Sequence, residues 1–114
     1  MSNTFQDKVV EWANTCFPEA HVNNKSIRNL HFLEEAIELT QATGLTRHEA
    51  HKLVNQVYDK RTGKASQEVG GVLVTLALLC HANKLVLDEC GQEELDRIWN
   101  TINSIRTKPK HQPT

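Results

Sequence analysis

The chain has no large charge of either sign. Thirteen Lys and Arg stand against fourteen Asp and Glu, a formal net charge of −1. That balance lacks the basic footprint that nucleic acid or an anionic membrane selects, so both are disfavoured as partners. The first residues, MSNTFQDKVVEW, have neither a basic start nor an apolar stretch, and no secretory leader is expected. The most apolar run, Val69 to Cys80, is about twelve residues long. A bilayer needs roughly twenty, so a core helix is expected and a membrane span is not. Only three cysteines occur, Cys16, Cys80 and Cys90, with no CxxC and no His-rich spacing. Disulfide frameworks and zinc sites lose support, and reduced thiols in the cytoplasm fit. Period-two alternation is absent as well, which argues against strands, and no internal repeat stands out.

What is present is helical spacing. A chain of 114 residues with 39% apolar and 24% charged residues suits one soluble domain with one core. Residues 1–107 are expected to form that domain, and 108–114, TKPKHQPT without its first residue, a disordered tail. Phe5, Val9, Trp12, Ala13 and Cys16 share one helical face that ends before Pro18. The polar stretch Ala20 to Lys25 reads as a loop. A second helix is expected from about Ser26 to Thr43, stopped by Gly44 in the C′ position. Thr46 followed by Glu49 is a capping box that opens a third helix to Val57 or Tyr58, with Ala50, Leu53, Val54 and Val57 as its buried stripe. After the basic loop Asp59 to Ser66, a fourth helix spans about Gln67 to Ala82. Val69, Val72, Leu73, Leu76 and Cys80 form its stripe. Val74, Leu78 and Leu79 lie off that stripe, so this helix is apolar nearly all round and belongs at the centre of a bundle or in a subunit interface. A fifth helix carries Leu95, Ile98, Trp99, Ile102 and Ile105 on one face. The expected fold is all-α, a helical bundle of about five helices, dimeric or higher.

Chemistry concentrates in RNLHFLEEAIEL, Arg28 to Leu39. Leu30, Phe32, Leu33, Ala36, Ile37 and Leu39 spread over one broad face. Arg28, His31, Glu34, Glu35 and Glu38 occupy the remaining arc. Glu35 and Glu38 are one turn apart, and like charges so placed repel by a few tenths of a kcal/mol. A cation between them offsets that cost, and magnesium suits because it prefers oxygen ligands and phosphates. The plain alternative is a solvated acidic face. Glu68 at the start of the apolar helix has two readings as well: a charge favoured by the helix N-terminus, or a carboxylate facing the first pair across the bundle.

A helix with EExxE, a helical hairpin, and then a helix with ExxD is the pattern of the MazG-like all-α nucleoside triphosphate pyrophosphohydrolases. The chain resembles that family over roughly Arg28 to His81, with LEEAIEL matching the first motif and EVGGVLVTLALLC the second. The resemblance implies magnesium-dependent hydrolysis of a nucleoside triphosphate to the monophosphate and pyrophosphate. It further implies Glu35, Glu38 and Glu68 as metal ligands, with Glu34, Glu35 and Glu38 as the catalytic carboxylates and Glu34 a ligand or the orienter of the attacking water. The pattern departs at Gly71, where the family's second motif has aspartate; Thr75 and Asp59 are the nearest substitutes. Lys60, Arg61 and Lys64 in the basic loop, with Arg28 and His31, are the candidates to bind substrate phosphates or the base. The partners expected are a nucleoside triphosphate and further copies of the chain, as homodimer or homotetramer. A homologue weakened in catalysis that binds nucleotide or metal, and a helical interaction module without ligand, are the competing readings.

Overall fold

The computed structural model describes residues 3–107, with side chains to residue 102. Its helices are α1 (Phe5–Cys16), α2 (Glu19–Val22), α3 (Lys25–Ala42), α4 (Arg47–Tyr58), α5 (Ala65–Ala82) and α6 (Leu87–Thr107). Among the described residues there is no strand, so the fold is all-α as the periodicity requires. The expected tail, 108–114, and the side chain of Ile105 lie outside the described residues. The chain divides into two compact units, one of Met1–Asn24 with Val86–Thr114 and one of Lys25–Leu85.

In the first unit, α1 starts at a Thr4 N-cap whose hydroxyl accepts from the Asp7 backbone N–H at 3.1 Å. It stops where Phe17 turns extended, as a residue before proline prefers. Pro18 then serves as N-cap of the one-turn helix α2. The polar stretch from Ala20 predicts a loop; proline at the helix start followed by Glu19 favours a turn of helix instead. Helix α1 packs on α2 and on α6. Ala13 and Leu95 are buried in this unit at 6% and 4% exposure. A Cβ on Gly91 would lie 3.3 Å from the Phe5 ring, so glycine lets α6 take the ring closely. Trp12 meets Phe17 edge-on at 5.8 Å, and Phe17 stacks on His21 at 5.0 Å. Trp99, expected in the core, is half-buried.

The second unit is governed by its helix ends. Helices α3 and α5 are each 18 residues long and begin about forty residues apart. Both close with the same motif. At the end of α3 the Leu45 N–H donates to Thr40 O at 2.9 Å and the Gly44 N–H to Gln41 O at 3.2 Å. At the end of α5 the Leu85 N–H donates to Cys80 O at 2.8 Å and the Lys84 N–H to His81 O at 3.1 Å. These are Schellman closures, which need a left-handed C′ residue. Gly44 supplies it at φ 105°, and Lys84 takes it at φ 57° with a side chain attached. Helix α4 opens on the expected capping box. Glu49 N–H donates to the Thr46 hydroxyl at 3.2 Å, and Glu49 Oε1 accepts from the Thr46 N–H at 2.9 Å.

Burial in this unit departs from the sequence expectation. The stripe of α4 is open, with Leu53, Val54 and Val57 at 50%, 50% and 58% exposure. Leu30, Phe32, Leu33 and Ile37 of α3 and Val69, Val72 and Leu73 of α5 are exposed too. Cys80 is the buried residue of α5, with Leu76 and Leu79 half-buried beside it. Among the described residues, no helix of this unit packs along another. Helical periodicity put apolar residues on one face of each helix, but no second layer within the unit covers those faces.

Candidate functional site

Helix α3 brings Glu34, Glu35 and Glu38 together without tertiary help. An 18-residue helix repeats every 3.6 residues, so Glu35 and Glu38 are one turn and about 4.5 Å apart along the axis. All three carboxylates are exposed, and none makes a hydrogen bond or ion pair among the described residues. On the preceding turn, Arg28 Nη2 and His31 Nδ1 are 3.3 Å apart. His31 therefore leans back toward Arg28.

Glu68 stands in the first turn of α5. Its carboxylate folds over Gly63, where a Cβ would collide with Oε2, so the loop before α5 needs glycine at that place for this rotamer. The loop's Lys60, Arg61 and Lys64 are exposed and form no ion pair among the described residues. Asp59, considered as a substitute ligand, is the C-cap of α4. Thr75, the other candidate, directs its hydroxyl to its own helix, donating to Gly71 O at 2.8 Å.

The arrangement thus assembles one part of the expected site and leaves another apart. Among the described residues, no three His, Cys, Asp or Glu side chains converge to hold a metal ion. Glu68 is not drawn to the α3 carboxylates, because α3 and α5 do not lie along each other. Magnesium is commonly held by one or two carboxylates and otherwise by water and substrate phosphate. Glu35 and Glu38 offer two exposed carboxylates one turn apart on α3. At Gly71 a Cβ would meet nothing within 4 Å. The same holds at Gly70, so no described part of this chain closes on either glycine.

A cavity of about 320 Å³ lies in the first unit, lined by Val10, Asn14, Glu19 and Asn23. None of the sequence-selected residues borders it. It depends on α2, a single turn whose polar composition predicts a loop; Pro18 with Glu19 is the signal for that turn in the sequence.

Comparison with protein-family models, with curated proteins and with solved structures finds no match for this chain. The MazG-like pattern of LEEAIEL and Glu68 therefore stands as a resemblance of motif.

Proposed function

We propose that this chain is a cytoplasmic pyrophosphohydrolase that cleaves a nucleoside triphosphate, in the presence of magnesium, to the monophosphate and pyrophosphate. The observation that carries the reading is the Glu34, Glu35 and Glu38 group: three exposed carboxylates within about one turn of α3, none with a partner among the described residues. Such a group carries unrelieved repulsion. Glu35 and Glu38 would hold magnesium, and the second motif adds Glu68 as a further ligand. Bound there, the ion would neutralise phosphate charge and acidify a coordinated water. Glu34 would be a further ligand or would orient the attacking water. Arg28 and His31 lie on the same side of α3, and Lys60, Arg61 and Lys64 provide cations that match phosphate oxygens.

The separation of Glu68 from the α3 group favours one competitor, a homologue that binds nucleotide or metal without turnover. Melting with magnesium and a panel of nucleoside triphosphates, read together with pyrophosphate release, separates the two. Ligands that bind only the folded chain raise its stability by RT ln(1 + [L]/Kd). The enzyme gives both a melting shift and pyrophosphate; the binder gives the shift alone; an interaction module gives neither. Glu38→Gln should lower turnover at least a hundredfold, with helicity unchanged. Full turnover by that variant removes the assignment.

A further inference from the structure

The cavity of the first unit is the feature that the α3 carboxylates leave unexplained. Two pairs of residues, each four apart, build it. Val10 and Asn14 lie one turn apart on α1, and residues so spaced share a face. Glu19 opens α2 and Asn23 is its C-cap. The turn between them is closed by the Asn23 N–H, which donates to Glu19 O at 2.9 Å. Because α1 packs on α2, the two pairs line one space of about 320 Å³. That is the liquid volume of roughly ten water molecules, enough for a small organic molecule.

The polar groups of this wall select the ligand. Glu19 is the charged residue among the four, and Asn14 and Asn23 each add a carboxamide oxygen. None of these three side chains has a hydrogen bond or ion pair among the described residues. The end of α1 has the same polarity. Pro18 stands four residues after Asn14 and has no N–H, so the Asn14 backbone carbonyl lacks its helical donor. No basic residue occupies the last turn of α1, where a helix favours a cation. The wall therefore offers three side-chain acceptors, one negative charge and the apolar side of Val10. A primary ammonium is its complement, with three N–H donors, one positive charge and no acceptor.

We infer that this cavity binds a small aliphatic primary amine, its ammonium held by Glu19, Asn14 and Asn23 and its carbon chain laid against Val10. The charge-assisted bond to Glu19 is the strongest of the three. A divalent metal ion fits less well, because calcium takes roughly six to eight oxygens at about 2.5 Å and this wall supplies a single anion. A nucleotide phosphate is repelled by Glu19. The inference goes beyond the catalytic reading and does not rest on it, since all four residues belong to the first unit and the α3 carboxylates to the second.

n-Butylamine, titrated at neutral pH into the full chain labelled with nitrogen-15, should move the Asn14 and Asn23 side-chain amide signals along a saturable curve. Two controls separate the causes. 1-Butanol has the carbon chain without the charge, and tetramethylammonium has the charge without an N–H donor; neither should produce that curve. Glu19→Gln should weaken butylamine binding at least tenfold with far-UV circular dichroism unchanged. Asn14→Asp adds a second carboxylate and should tighten it several-fold, whereas Glu38→Gln on α3 should leave it as it is. A response that does not saturate overturns the inference, as does tetramethylammonium matching butylamine. So does undiminished binding by Glu19→Gln, weaker binding by Asn14→Asp, or loss of the curve in Glu38→Gln. Calcium moving the same signals at a lower concentration than butylamine overturns it too and assigns the cavity to a metal.

Discussion

The two units of this chain differ in where their stability resides. The first has fewer large apolar side chains, yet it buries Ala13 and Leu95 and brings Phe5 against Gly91. The second is richer in Leu, Val and Ile, yet Cys80 is its buried apolar residue. Apolar content alone does not make a core; a facing element has to cover it. Helices α1 and α6 face each other, whereas α3, α4 and α5 are held mainly by their own hydrogen bonds and caps. In the second unit the apolar faces of α3, α4 and α5 stay open.

The largest effect expected is in the first unit. Leu95→Ala should cost about 2–5 kcal/mol, because a side chain at 4% exposure leaves a cavity on truncation. Urea unfolding checks it, and a loss below about 1 kcal/mol would erase the difference between the units. In the second unit the order reverses, with a cap outweighing a leucine. Thr46→Ala should cost about 1 kcal/mol, since it removes the acceptor for the Glu49 N–H at the N-cap. Leu53→Ala, half-exposed at 50%, should cost less than that. A larger loss from Leu53 would mean that α4 is covered in solution.

The capping box also carries a pH signature. The Thr46 backbone N–H, and then its hydroxyl, hold the Glu49 carboxyl below the ordinary carboxylate range. A folded-state pKa depressed in this way contributes stability that is complete above that range and is lost as pH falls through the folded value. Acid titration of α4 by NMR should therefore show Glu49 titrating below the ordinary carboxylate range. Thr46→Ala removes only the hydroxyl and keeps the backbone N–H, so it should raise the Glu49 pKa part of the way back toward that range.

Lys84→Gly should stabilise the chain by about 0.5–1 kcal/mol. A non-glycine residue at φ 57° pays a left-handed penalty, part of which is offset by glycine's greater freedom when unfolded. Thermal melting is the check, and destabilisation would show that Lys84 makes a compensating contact. The smallest effect belongs to α6, where Arg97 Nη2 and Glu94 Oε2 pair at 2.6 Å, both side chains exposed. Arg97 holds the Glu94 carboxyl down. Even so, Glu94→Gln should cost only about 0.2–0.5 kcal/mol, falling with added salt.

How far the sequence reaches can be judged element by element. The span of α1, the Gly44 stop and the Thr46–Glu49 box were legible because each depends on residues within one turn. The Glu34, Glu35 and Glu38 group was legible for the same reason: helical spacing alone places those carboxylates side by side. Helix α2 was not, because a single turn has no periodicity to read. Nor was the likeness of the α3 and α5 endings, since Gly44 and Lys84 share a backbone conformation and not a residue type.

Local interactions, then, let the sequence determine the all-α class, most helix ends and the carboxylate group on α3. Hydrophobic periodicity marked which face of each helix seeks cover, but the force is non-directional and names no partner. Only the tertiary structure decided that α1 and α6 cover each other, that the stripes of α3, α4 and α5 stay open, and that Glu68 turns over Gly63 and not toward α3. Each of those outcomes depends on how elements distant in the chain meet, and residue spacing within a helix carries no information about that.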